Sequence, residues 1–165
     1  MNPAQGRLRG IATRPAKRAA MCAHEACAIH IDAGLEGDFG RRRGRAQVTV
    51  LGEEAWRAAC EELGAALAWT SRRANLLVSG IALRPLAGSR IVIGEVALEV
   101  TGEAHPCSRM DEVHAGLRRA LMPEARGGVR CRILSGGRIA LGDGVTWQPA
   151  MNDLFAPAGV SPKPI

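Results

Sequence analysis

The chain contains no tyrosine, and aromatic residues make up only 3% of its 165 positions. Binders of single-stranded nucleic acid stack bases on aromatic side chains, so that mode of recognition lacks its platform here. Lysine is almost as scarce, with Lys17 and Lys163 toward the two ends, and the basic residues are nearly all arginine. No run of about 18 apolar residues occurs, which argues against a membrane-spanning helix. The N-terminal basic residues Arg7, Arg9, Arg14, Lys17 and Arg18 are not followed by the apolar stretch of a signal peptide. The expectation is a cytoplasmic, reducing setting, in which the five cysteines serve as free thiols, ligands or nucleophiles rather than as bridges. No Cys-x-x-Cys pair is present to supply a resolving thiol, which disfavours a thiol–disulfide oxidoreductase.

What the chain does have is the balance of one globular domain, 47% hydrophobic and 23% charged. At this size folding buries roughly 70% of the unfolded surface, enough for a core without staples. The formal charge of +6, carried on arginine, suits a phosphate- or carboxylate-bearing partner. The organisation expected is a short lead over residues 1–6, a single domain over 7–148 and a proline-rich tail over 149–165.

Period-two alternation marks strands. Val48 and Val50 alternate with Gln47 and Thr49, and Val129, Cys131 and Ile133 with Arg130 and Arg132. Gly94-Glu95 predicts a hairpin between residues 90–93 and 96–100, and Gly136-Gly137 predicts another between 129–134 and 138–141. Further strands are expected near 8–13, 27–31, 75–79 and 145–147. Two helices are expected. One covers 53–63, with Trp56, Cys60 and Leu63 on one face and Gly64 beyond its end. The other covers 109–121, started by the capping signature Ser108-x-x-Asp111 and stopped by Pro123. The fold class is therefore mainly β, a barrel of short, largely antiparallel strands with a few helices.

Cys107 draws attention because it directly precedes the expected second helix, where free amides and the helix dipole favour a thiolate. His105 and Arg109 flank it and Pro106 constrains its approach. Cys60 and Cys131 fall on apolar faces and read as core. Cys22-x-His24-x-x-Cys27-x-x-His30 offers zinc-type ligands, but strand parity puts Cys27 opposite the other three, so a zinc site is disfavoured. Arg72, Arg73 and Asn75 stand at the start of an expected strand, where a guanidinium and an amide could orient a polar ligand. Arg41, Arg42, Arg43 and Arg45 follow Gly37-Asp38 and read mainly as a solvated loop.

Taken in order, several strings resemble the MOSC domain, the C-terminal domain of molybdenum cofactor sulfurases. They are Gly34-Leu-Glu-Gly37-Asp38, Gln47-Val-Thr49, Arg72-Arg73-Ala-Asn75-Leu-Leu-Val-Ser-Gly80, Leu86-Ala-Gly88, Thr101-Gly-Glu-Ala-His105-Pro106-Cys107-Ser108-Arg109-Met110, Gly128-Val-Arg130 and Gly137-x-Ile139-x-x-Gly142-Asp143. The resemblance implies a MOSC-type barrel whose signature cysteine is Cys107, catalytic together with His105. Cys107 would carry sulfur as a persulfide or ligate the molybdenum of molybdopterin, and a soft thiolate suits either role. It further implies Arg73, Asn75, Asp38, Arg45, Ser108 and Arg109 as cofactor-binding residues, with Ala74 standing where some relatives have proline.

The pyridoxal phosphate used by the desulfurase half of eukaryotic sulfurases does not carry over, because neither lysine is placed for its Schiff base. The implied partners are then a cysteine desulfurase or an electron-donor reductase, with a small N-hydroxylated compound as substrate. No flavin, haem or iron–sulfur motif is visible to supply electrons internally. The alternative implied is a non-enzymatic persulfide carrier for metal–sulfur cofactor assembly. A nucleic-acid-binding barrel is disfavoured by the dispersed basic residues.

Overall fold

The computed structural model describes residues 5–39 and 46–150. Eleven strands appear among them: β1 (Gly6–Thr13), β2 (Cys22–His24), β3 (Ala26–His30), β4 (Gly34–Leu35), β5 (Val48–Gly52), β6 (Leu76–Ser79), β7 (Arg90–Ile93), β8 (Val96–Glu103), β9 (Val129–Ser135), β10 (Gly137–Ala140) and β11 (Gly144–Gln148). Seven of them hydrogen-bond in the order β11-β7-β8-β9-β5-β6-β1, and β1 pairs back onto β11 through Gly6↔Val145, closing a mixed barrel. The pair β5–β6 is parallel, and the other barrel pairs are antiparallel. A separate three-stranded sheet, β10-β3-β4, stands beside the barrel.

Alternation along the strands explains the interior. Val96, Leu98 and Val100 point inward, as do Val129, Cys131 and Ile133, and they meet Leu8, Ile11, Ile91 and Ile93 in one apolar cluster. A second cluster forms outside the barrel. There the apolar stripe of helix α1 (Glu53–Leu63), through Trp56 and Ala59, covers Leu51 and Leu77, joined by Met110, Leu117 and Leu121. Helix α1 ends as its sequence predicts, on a left-handed Gly64.

Two expectations are corrected. The hairpin at Gly136-Gly137 does not form, because both sides of β9 are already taken by β5 and β8. The chain instead leaves the barrel, and β10 pairs with β3 from Gly137↔Ile29 to Ala140↔Ala26. Gly136 lies so close to β3 that an added Cβ would collide with the Ile29 carbonyl.

The second helix, expected unbroken over 109–121, is two short pieces, α2 (Arg109–Val113) and α3 (Leu117–Ala120). His114 turns extended, and Gly116 adopts φ +87, a backbone state open to glycine. The capping signature is also unused. Ser108 has helical rather than extended dihedrals and makes no side-chain cap, while the Asp111 carboxylate accepts a hydrogen bond from the Arg118 amide. With only five residues in α2, the helix-dipole rationale for Cys107 falls away.

Candidate functional site

The site is assembled at one end of the barrel, where β1, the Trp69–Arg72 turn, the loop after β8 and the start of α2 converge. The turn is a single 3₁₀ helix that ends with Arg73 in the left-handed region, φ 67. That reversal sends the side chains of Arg72 and Arg73 in different directions. Arg72 goes inward and is only 9% exposed. Its Nε donates to the Gly127 carbonyl at 3.0 Å and its Nη2 to the Ala104 carbonyl at 2.8 Å. The two carbonyls converge because Gly127 packs where a Cβ would stand 2.6 Å from the Ala104 oxygen. Arg73 reaches the loop after β1 and donates from Nη2 to the Ala19 carbonyl at 2.7 Å, while its buried Nε has no partner among the described residues.

Together these residues wall a cavity of about 280 Å³, with the exposed thiol of Cys107 and the ring of His105 at its edge. Arg109 lies on one side and Arg14 on another, the latter positioned by the Asp38 carboxylate, which accepts from the Arg14 amide at 2.9 Å. Arg130 completes the ring; its guanidinium spreads over Gly102, where a Cβ would come within 2.9 Å of Nη2, and its Nε donates to the Glu103 carbonyl. Among the described residues five arginines thus line the cavity, and no carboxylate does. An adjoining cavity of about 260 Å³ shares Arg73, Arg109 and Met110 and adds Arg18 and Ser71, with Glu112 as its acidic member.

The charges feel one another. Burial pushes the Arg72 guanidinium below the usual arginine range, and the charge of Cys107 pulls it back. Arg73 is also lowered, first by burial and then by Arg14 and Arg109, with Asp38 opposing. His105 is largely exposed, with Nδ1 3.3 Å from Glu103 Oε2.

Of the residues named from the sequence, Cys107, His105, Arg73 and Arg109 line this one cavity. Asp38 is buried outside the lining, with its carboxylate on the Arg14 backbone amide. Ser108 is exposed and outside the lining. Asn75 is placed differently from the expectation of a ligand-facing amide. Its Oδ1 accepts from the Thr49 amide and its Nδ2 donates to the Ala12 carbonyl, both at 3.2 Å, so the side chain ties β5 to β1. Arg45, with Arg41 to Arg43, lies outside the described residues.

Arg14 and Arg130 carry no site expectation from the sequence, and Arg72 enters it only as one of the pair Arg72-Arg73 beside Asn75. Arg72 had a visible signal in standing beside Arg73, but nothing local tells which of two adjacent arginines turns inward. Among the described residues no group of three or more His, Cys, Asp or Glu is placed to hold a metal ion. Cys27 is buried, with Sγ on the Ala28 and Glu36 carbonyls, whereas Cys22 and His30 are exposed. Larger concavities lie elsewhere, about 740 Å³ along α1 and about 1180 Å³ against residues 80–86. Neither gathers cations around a thiol. Among the described residues no helix is long and apolar enough to cross a membrane.

A closed barrel of seven strands with an arginine-ringed cysteine beyond β8 defines a mainly β protein with a single-thiol site. The chain belongs to the MOSC domain family, whose pattern matches residues 32–146. Among solved structures it is similar to the YuaD protein from Bacillus subtilis, with 18% identity, 85% of this chain and 93% of that one covered, and a TM-score of 0.74. It is also similar to YiiM from Geobacillus stearothermophilus, with 15% identity, 87% and 75% covered, and a TM-score of 0.69. YiiM from Escherichia coli aligns at 13% identity, 88% and 71% covered, with a TM-score of 0.64. At such identities the likeness is one of fold. None of the curated proteins matches this chain.

Proposed function

We propose that this protein holds molybdenum cofactor at the Cys107 cavity, with Cys107 as the ligand to the metal. The observation that carries this reading is the pairing, among the described residues, of one exposed thiol with five arginines and no carboxylate in a single cavity. The MOSC family is associated with this cofactor, which combines a soft, thiolate-accepting metal with an anionic phosphate. The residues present fit both halves. Cys107 supplies the sulfur, and Arg14, Arg73 and Arg109 supply cations, with the buried Nε of Arg73 lacking a partner among the described residues.

When bound, the cofactor supplies two-electron redox chemistry, suited to reduction of N-hydroxylated compounds with electrons from a separate reductase. The chain's own contribution is to bind and orient. Arg72 stays fixed by two carbonyls and neutralises charge beside the sulfur. Arg109 and Arg130 close the cavity wall. His105 faces Glu103 through Nδ1, leaving Nε2 to exchange protons with a substrate at the cavity mouth.

A second reading is favoured by the exposure of Cys107. A persulfide carrier must present its sulfur to other proteins, here a cysteine desulfurase and a cofactor-assembly protein, and an outward thiol does so. Elemental and pterin analysis of protein purified from a molybdenum-sufficient host decides between the two. The cofactor reading expects stoichiometric molybdenum and pterin that disappear in Cys107→Ala. Protein without either, yet labelled at Cys107 by a desulfurase, establishes the carrier instead.

A further inference from the structure

The arginines of the cavity differ from the ion-paired ones elsewhere in the molecule. Among the described residues, Arg9 and Arg57 pair with Glu53, Arg126 with Glu62 and Arg132 with Glu99, all near the surface. Among the same described residues the five around Cys107 form no such pair, although Arg72 is nine-tenths buried. Burying a cation without an anion costs stability, and crowding Arg14, Arg73 and Arg109 costs more. Such a cluster is stable once an anion enters it. Two of the three guanidinium nitrogens of Arg72 are held on carbonyls, so its position is set in advance and little freedom is lost on binding. The compartment at the thiol, about 280 Å³, is at the small end of ligand sites.

We infer that Cys107 takes its sulfur from a small oxoanion carrying a sulfane sulfur, of the thiosulfate class, held by the arginines of this cavity. The inference rests on the reading of Cys107 as the reactive thiol. The Cys107 thiolate attacks the outer sulfur of thiosulfate. An Sγ–S bond forms, and the S–S bond to the sulfonyl sulfur breaks with its electron pair leaving on sulfite. The products are a Cys107 persulfide anion and sulfite dianion, and the charge of −3 is the same on both sides. The transfer redistributes electrons within the donor and needs no separate oxidant. A thiolate and a dianion repel each other in water, and this repulsion is what five surrounding guanidinium groups offset.

The test uses the full chain and thiosulfate labelled at its outer sulfur, with bound label located by peptide mass spectrometry, sulfite measured as it is released and cyanide added as final acceptor. The expected result is label at Cys107, matching release of sulfite, and thiocyanate formation, all absent in Cys107→Ala. Arg109→Gln, on the less buried side of the cavity, is expected to slow transfer by about tenfold or more, whereas Arg57→Gln on α1 leaves it unchanged. Sulfate is expected to compete.

No label above the Cys107→Ala level overturns the inference, as does transfer insensitive both to Arg109→Gln and to sulfate. Metal and pterin measured on the same preparation keep the two readings apart. Protein that holds cofactor at Cys107, or accepts sulfur there from a desulfurase, while ignoring thiosulfate sinks this inference alone.

Discussion

Replacing Asn75 by alanine separates a structural amide from a ligand-binding one. The side chain sits where β5, β6 and β1 meet at the rim, one residue ahead of the parallel pair Val50↔Leu76. Its Oδ1 takes the Thr49 amide and its Nδ2 serves the Ala12 carbonyl, and the residue is only 8% exposed. Alanine removes both bonds. Each is worth about 1 kcal/mol net, and a buried group left unpaired adds a desolvation cost, so the loss should be about 2–4 kcal/mol. For a chain of this size that lowers the melting temperature by roughly 4–16 °C. Urea and thermal unfolding measure both quantities. A variant that melts within about a degree of the wild type would refute the reasoning and return Asn75 to the ligand-facing role that the family resemblance implied.

Cys131 provides a pH-dependent counterpart. Burial raises its thiol from an ordinary 9.0 to about 12. Below pH 9 it is protonated folded or unfolded; above it only the unfolded thiol ionises, so stability falls by about 1.4 kcal/mol per pH unit until the folded value is reached. Urea unfolding at pH 8 and pH 10 should show this extra slope in the wild type and not in Cys131→Ala. Gly127→Ala should destabilise by about 1–3 kcal/mol, because its Cβ would press on the Ala104 carbonyl that holds Arg72; calorimetry checks this. Cys107→Ala should change stability by no more than about 0.5 kcal/mol, as expected at an exposed position. A larger loss would mean that the thiol packs rather than reacts.

Much of the barrel was legible where buried residues alternate with more exposed ones, as along β7, β8 and β9. The sequence pattern over 90–100 predicts the β7–β8 hairpin that forms, from Arg90↔Glu99 to Ile93↔Val96. Gly136-Gly137 carries the same kind of turn signal yet marks a departure, because the competing partner, β3, lies more than a hundred residues earlier. The break between α2 and α3 was marked by Gly116, but the apolar face of Val113, Leu117 and Leu121 made the stretch read as continuous.

At the site, the thiol, the imidazole, Arg73 and Arg109 were legible from their types and their order. Which of Arg72 and Arg73 turns inward was not, since the course of Arg72 depends on the left-handed backbone of Arg73 and on carbonyls supplied by residues 104 and 127. Asn75 was recognised as important for a reason other than the one the structure supplies.

Competition between two alkylating reagents tests the anion-receiving cavity most directly. Iodoacetate and iodoacetamide both react with thiolate, so their rate ratio at one cysteine reports the local field rather than the ionisation of the sulfur. Peptide mass spectrometry resolves Cys107 from the exposed Cys22, which serves as an internal reference. The account predicts an iodoacetate preference at Cys107 about tenfold above that at Cys22, collapsing in about 0.5 M salt. Equal ratios at the two cysteines, unmoved by salt, would contradict it.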